Sequence, residues 1–207
     1  MSEKANFSNI HKFYDLVNAV LTLGFDKSWR EKATSNLTKN SVLDLGSGTG
    51  AAYEQLINFE TTAVDPDKKM LELNRFENKV LGSAENIPFE DNSFDNVFCS
   101  FVWRNVLDTN KALHEVYRVL RPGGKFVLLD MTRPKNLFLR MLHKIGTFTV
   151  LHFIGLITFN LKEYRFLNKS LDFYQQPEDH LNKDNFIDLK IERMGLFNFV
   201  YLAVFTK

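Results

Sequence analysis

The chain has 207 residues, enough for one α/β domain with a sizeable core and little beyond it. Its 26 basic and 25 acidic side chains leave a net charge of +1, so no basic field points to nucleic acid as a partner. A hydrophobic content of 44% excludes a disordered chain, and a single cysteine, Cys99, excludes an intramolecular disulfide framework. One cysteine suits a reducing compartment, and Met1–Asn6 carries no apolar signal-peptide core, so the reading is cytoplasmic. The 20 phenylalanines, many in the last third, suit a Phe-rich core or a pocket for a greasy ligand.

Phe7, Ile10, Phe13, Tyr14, Val17, Val20 and Leu21 recur at spacings of three and four, which predicts an amphipathic helix over 7–23 that stops at Gly24. A second helix is expected over 26–37. From Ser41 the pattern changes. Ser41–Leu45 is a short apolar strand running into glycines, residues 51–58 read as a helix, and Thr61–Asp65 is a strand ending in an acid. A helix over 67–77 follows, with Pro66 near its start, then a short strand at Lys79–Leu81. Phe94–Phe101 reads as a buried strand, Lys111–Leu120 as a helix, Arg121–Gly124 as a turn and Lys125–Asp130 as another strand. Strand and helix thus alternate over 41–130, which predicts a mostly parallel sheet with helices on both faces. Residues 136–160 are a less regular apolar stretch interrupted by Arg140, His143, Lys144 and His152. Its apolar core, Ile145–Phe159, holds Gly146 and Gly155 and is too short to span a bilayer. Residues 186–206 give two strand-like runs around Gly195. The expectation is a single domain: N-terminal cap helices (1–38), a core (41–130), an apolar lid insertion (136–175) and a C-terminal strand pair (186–206).

Gly46-x-Gly48-x-Gly50 lies between a strand and a helix. Glycines there let the backbone turn sharply and let a ligand approach the main chain. The following helix is expected to point its N-terminus at that ligand. An acid at the end of the next strand, Asp65, can accept hydrogen bonds from both ribose hydroxyls of a nucleoside. Loop and acid together define a nucleoside cofactor without choosing between a nicotinamide dinucleotide and S-adenosylmethionine (SAM). Asp44 favours SAM: a carboxylate repels a pyrophosphate but attracts a cationic amino-acid end. Its other reading is bonding to loop amides.

Further along come Ala84-Glu85-x-Ile87-Pro88-Phe89, then Ser93-Phe94-Asp95, then Arg118-Val119-Leu120-Arg121-Pro122-Gly123-Gly124. With Val42–Gly50 ahead of them, this order resembles the class I SAM-dependent methyltransferases over 41–130. Tyr14-Asp15-Leu16-Val17-Asn18 with Gly24 and Trp29-Arg30, then Ser100-Phe101-x-x-Arg104-Asn105-Val106, then Tyr164-Arg165-Phe166-Leu167-x-x-Ser170 resemble the ubiquinone/menaquinone-biosynthesis C-methyltransferase family. The resemblance implies a Rossmann-like, seven-stranded, mostly parallel sheet. It implies SAM as cofactor, with S-adenosylhomocysteine as product. Asp44, Gly46, Ser47, Gly48, Thr49 and Gly50 would hold the methionine part. Asp65, followed by Pro66, would bind the ribose, Ser83 and Ala84 would lie beside the adenine, and Ser100 would line the site. Residue 83 is usually Asn or Asp in that family, so the shorter Ser83 shifts adenine contact towards the backbone. Family members also commonly carry a second glycine before the last strand, where this chain has Gly195 alone.

Methylating a ring carbon of a hydroquinone needs electron density that a phenolate supplies, and an unperturbed phenol titrates near roughly 10. Arg104 is the candidate for stabilising that charge or orienting a water, and stays protonated, so it is a poor direct base. Asn105 would hold the other ring oxygen, and Tyr14 would close over the transfer site. The other readings are a surface salt bridge for Arg104 and helix packing for Tyr14. His11, His114, His143, His152 and His180 are scattered without metal-ligand spacing, so no metal is expected. The 136–160 stretch reads as a core helix with an edge lid, or as a wall for a prenyl tail in peripheral contact with a membrane. The acceptor reading is a hydrophobic aromatic molecule. An O- or N-methyltransferase of a small soluble acceptor, a nicotinamide oxidoreductase and a non-catalytic SAM-binding protein remain open at this stage.

Overall fold

The protein is described here by a computed structural model covering residues 22, 24–38, 40–158, 165, 168–172, 176–181 and 186–207. The helix expected over 7–23, and Tyr14 with it, lies outside the described residues. So does Tyr164.

Seven strands form one sheet: β1 (Ser41–Leu45), β2 (Glu60–Asp65), β3 (Lys79–Leu81), β4 (Phe94–Ser100), β5 (Leu120–Met131), β6 (Asp188–Met194) and β7 (Val200–Thr206). Their order is β3-β2-β1-β4-β5-β7-β6. The first five run parallel, while β7 pairs antiparallel with both β5 and β6. The described helices are α1 (Asp26–Thr34), α2 (Tyr53–Leu56), α3 (Lys68–Leu73), α4 (Thr109–Val119), α5 (Leu137–Thr158) and α6 (Pro177–His180). The strand order reverses between β1 and β4, and in open α/β sheets ligands bind beyond the carboxyl ends of the strands at that point.

Alternation along the central strands feeds two cores. Leu43, Leu45, Val97 and Cys99 pack with Ala112, Val116 and Val119 of α4. Val42, Phe98, Val127 and Leu129 pack on the opposite face with Trp29 and Ala33 of α1. Helices therefore cover both faces. Burial pushes the Cys99 thiol well above its ordinary range, so it serves as core.

Several elements differ from the sequence expectation: α1 stops at Thr34 rather than 37, α2 shrinks from 51–58 to the single turn Tyr53–Leu56, and three more change as follows. The helix over 67–77 stops at Leu73, because buried Asn74 leaves the helix and caps other backbone: its Nδ2 donates to the Gly48 carbonyl at 3.1 Å and its Oδ1 accepts from Phe76 N at 3.0 Å. Arg121–Gly124 is taken up inside β5 by a register shift opposite Phe94–Asn96. The apolar stretch after residue 136 is one unbroken helix, α5, of 22 residues.

The charges expected to interrupt α5 do not: Arg140, His143 and Lys144 share the face that meets the protein, while His152 stacks on the outward Phe148 at 5.5 Å. Arg140 Nε donates to the Pro134 carbonyl at 3.0 Å, Thr147 Oγ1 accepts from Arg133 Nη1 at 2.7 Å, and Leu151 is buried. Burial and the neighbouring Arg133 push the pKa of His143 down to about 4. The other side is apolar and faces outward: Leu137, Phe138, Ile145, Phe148, Phe153 and Ile157 are each more than half exposed. By length and composition Leu137–Ile157 is long enough to cross a membrane, which corrects the expectation of a segment too short for that.

The turn before β7 gathers two helices. Gly195 has φ +76°, and a Cβ there would lie 3.1 Å from Trp29 and 3.2 Å from Phe199. Phe199 meets Trp29 edge-on at 5.9 Å and His143 at 5.0 Å. The work of a second glycine falls to Phe197 and Asn198, whose φ values of 60° and 58° are left-handed.

Candidate active site

The loop between β1 and α2 is fixed by its own amides. Gly46 N and Ser47 N both donate to the Val64 carbonyl, at 2.8 and 3.0 Å. Gly46 has φ +73°, and a Cβ there would fall 2.6 Å from Val102 Cγ1, so glycine is required on both counts. Gly50, at φ +84°, faces Asn74 Oδ1. Gly48, at φ +53°, has open space where a side chain would stand. The helix that follows is a single turn, so the amides of the loop, not a helix dipole, face a ligand.

Asp65 anchors this loop to the end of β2. Its Oδ2 accepts from Gly48 N at 2.9 Å and its Oδ1 from Asp67 N at 2.8 Å. Burial raises its pKa, and those two amides oppose the rise. Each oxygen keeps a second lone pair for a ribose hydroxyl. Asp44 sits mid-sheet, paired in register with Ala63 and Phe98, and is 2% exposed. Its Oδ2 and the Ser47 hydroxyl are buried with no hydrogen-bond partner among the described residues. Burial raises the Asp44 pKa to about 7, with Arg30 pulling it down and Asp65 pushing it up. A cavity of about 470 Å³ opens beside the loop, lined by Asp26, Arg30, Thr49, Gly50, Ala51, Leu73 and Arg75. Partnerless buried acceptors beside an open glycine crest fit a ligand that carries a cationic amino-acid group.

The remaining cofactor candidates converge on the same edge. Leu81 pairs with Asp65 in register and Gly82 N donates to the Asp65 carbonyl at 3.2 Å, so Ser83 and Ala84 follow directly. Both are half-buried, and Ser83 bridges to Asn86. Pro66 is exposed beyond β2, and Ser100 is half-buried at the end of β4. Phe101 then takes φ 60°, an uncommon conformation for a bulky residue, and turns Val102 towards Gly46.

Arg104 and Asn105 lie in the short 3₁₀ turn Trp103–Asn105 after β4. Arg104, expected to stabilise a developing phenolate or to form a surface salt bridge, has its guanidinium buried in an ion pair with Asp130 at the end of β5. Its Nη1 also donates to the Phe101 carbonyl at 2.9 Å, and its N–H donates to Asp130 Oδ2 at 2.8 Å. Asn105 is half-buried, and its Oδ1 has no partner among the described residues. The downstream motifs are joined physically. Glu115 Oε2 accepts from Ile87 N at 2.8 Å, while Arg118 donates to the carbonyls of Ile87 and Phe89 at 2.9 and 2.7 Å. Glu115 and Arg118 thereby pin the 84–89 loop that carries Ser83 and Ala84 to the site. Two site residues were not singled out from sequence. Asn74 gave no local signal, since its partner lies 26 positions away. Arg30 was visible only as part of Trp29-Arg30.

This sheet order, with its reversed seventh strand and a glycine loop at the switch point, defines a class I SAM-dependent methyltransferase, with SAM as methyl donor. The sequence profile described as the ubiE/COQ5 methyltransferase family matches residues 3–196. The chain belongs to that family. It is similar to the ubiquinone/menaquinone biosynthesis C-methyltransferase UbiE of Rickettsia bellii, at 36% identity over 84% of this chain and 78% of that one. The Rickettsia felis UbiE is 33% identical over the same shares. Among solved structures, a SAM-dependent methyltransferase of Thermotoga maritima superposes with a TM-score of 0.69 at 20% identity, covering 98% of this chain and 100% of that one. One from Methanococcus maripaludis gives 0.65 at 23% identity, covering 100% and 97%. At those identities the likeness is one of fold.

Proposed function

We propose that this enzyme methylates a ring carbon of a hydroquinone bearing a prenyl tail, in quinone biosynthesis. The observation that carries this reading is α5: it rises from the carboxyl end of β5, beside the cofactor edge, and turns its apolar side outward. A prenyl tail suits that surface, and relatives at 32–36% identity carry the corresponding name.

SAM supplies a methyl group already activated on a sulfonium. The protein aligns the acceptor and excludes water. Asn105, whose buried Oδ1 has no partner among the described residues, would accept a hydrogen bond from an acceptor hydroxyl. Arg104 is a positioning residue in this reading: its pair with Asp130 holds the turn that carries Asn105. The lipid surface is the partner proposed for the outward side of α5, because a helix that turns its polar face inward and its apolar face outward matches an apolar solvent.

The test is a labelled-methyl assay with prenylated hydroquinones, tailless hydroquinones and small soluble oxygen and nitrogen acceptors. Label on a ring carbon of the prenylated substrate supports the proposal. Label on oxygen or nitrogen of a soluble acceptor, with none on the hydroquinones, overturns it.

A further inference from the structure

We infer that Arg30 is the counter-ion for the carboxylate of the methyl donor's amino-acid group, facing it from α1 while Asp44 faces the ammonium from β1. The inference concerns the donor alone and does not depend on which molecule receives the methyl.

Position comes first. Arg30 lines the same cavity as Thr49, Gly50 and Ala51, so α1 closes one side of the space above the glycine loop. Its field reaches Asp44, where it favours the ionised carboxylate. The side chain is only 5% exposed. Such a group is expensive to bury unless its donors are used. Nη1 is used: it donates to Asp26 Oδ2 at 2.5 Å. The guanidinium also lies 5.1 Å from the centroid of the Phe101 ring. Nε is buried with no hydrogen-bond partner among the described residues. Asp26 and Phe101 therefore hold the plane of the guanidinium and leave Nε as a buried donor without an acceptor among the described residues, on a side chain that lines the cavity beside the cofactor loop.

The chemistry matches. The amino-acid end of SAM is a zwitterion, one carboxylate and one ammonium. Arg30, on the cavity wall, has a buried Nε without a partner, and Asp44, two residues before Gly46 in β1, has a buried Oδ2 without one, both among the described residues. A planar fork can hold Asp26 on one edge and a ligand carboxylate on another, which a lysine cannot do. The rival cation on the same cavity, Arg75, is engaged elsewhere. It donates to Glu54 at 2.7 Å, stacks on the Tyr53 ring at 4.0 Å and is more than half exposed.

The experiment measures binding by calorimetry for four ligands: SAM, S-adenosylhomocysteine, decarboxylated SAM and 5′-methylthioadenosine. Decarboxylated SAM keeps the ammonium and lacks only the carboxylate. Methylthioadenosine lacks the whole amino-acid group. Wild-type protein is expected to bind decarboxylated SAM about 10- to 100-fold more weakly than SAM, the range for one charge-assisted contact. Arg30→Ala is expected to lose that discrimination: SAM and S-adenosylhomocysteine weaken by the same factor, and the other two ligands stay within about threefold of wild type. Equal affinity of the wild type for SAM and decarboxylated SAM overturns the inference, and needs no variant to fold. So does an Arg30→Ala protein that weakens all four ligands alike, since that is the signature of a merely structural pair with Asp26.

Discussion

Arg104 and Asp130 form an ion pair closed to water from both sides, with side chains 3% and 0% exposed. It joins the turn after β4 to the last residues of β5 at the edge where the site opens. Removing one member of such a pair strands the other charge and costs about 3–5 kcal/mol. Arg104→Ala is therefore expected to lower the melting temperature by on the order of 10 °C in scanning calorimetry. Arg104→Met combined with Asp130→Leu removes both charges at similar volume, and should regain most of the stability without regaining turnover. A single variant that melts with the wild type and turns over normally would remove Arg104 from the mechanism.

Asp44 is expected to link pH to both stability and cofactor binding. Its folded pKa of about 7 stands above the ordinary value of 3.8, with burial as the main cause. The fold thus prefers the protonated form. The stability this confers is fully present below the unfolded pKa and is lost as pH rises through the folded one, by up to about 4 kcal/mol between roughly pH 4 and pH 7. Asp44→Asn should melt higher than the wild type at pH 8 and alike at pH 4. It should also bind SAM more weakly at pH 8, where the ionised carboxylate attracts the ammonium. Wild-type affinity for SAM is expected to rise with pH through 7; a flat profile from pH 6 to 8 counts against an Asp44–ammonium contact.

Gly46 and Gly48 should fail in different ways. Gly46→Ala forces a left-handed alanine at φ +73° against Val102, 2.6 Å away, which should cost at least about 2 kcal/mol in urea denaturation. Adding Val102→Ala relieves the overlap but not the backbone strain, so rescue should be partial. Gly48→Ala meets nothing within 4 Å and pays only the backbone term, about 1 kcal/mol. Its methyl group stands where a ligand would approach, so the main loss should be in SAM affinity. Equal melting temperatures for the two variants would contradict this division.

The outward side of α5 is tested by Phe138→Ser, Ile145→Ser and Phe153→Ser together. All three side chains are more than half exposed, so the melting temperature should change little. Cosedimentation with lipid vesicles should fall sharply, while methylation of a short-tailed, water-soluble hydroquinone should persist. A wild-type protein that stays in the supernatant at every lipid concentration would exclude the bilayer as partner.

The strands of the core and the cofactor loop were legible because their signals are local. Ser41–Leu45, Thr61–Asp65 and Phe94–Phe101 are short apolar runs bounded by glycine, acid or turn residues, and each became a strand within a residue of its expected bounds. What escaped notice depends on partners distant in sequence. Asn74 ends α3 by bonding the Gly48 carbonyl, and no propensity encodes that. Arg104 looked like a surface or catalytic cation because Asp130, its partner 26 positions on, becomes visible only when β4 and β5 pair. The charges in 136–160 looked like interruptions. Spacings of three and four put Arg140, His143 and Lys144 on one side, but whether that side meets protein or water is fixed by Arg133 and Thr147, not by the periodicity.

On the proposed reading, the direction in which α5 faces would also set where the two substrates come from. The cavity beside the glycine loop is lined by charged side chains and suits arrival from water. The helix α5 extends for 22 residues, about 33 Å, as a greasy flank. With that flank resting on a bilayer, encounter with a tailed acceptor becomes a search over an area. The rate would then follow how densely the acceptor is spread across the lipid, and diluting it with more lipid at fixed total concentration would slow the enzyme as a competitive inhibitor does.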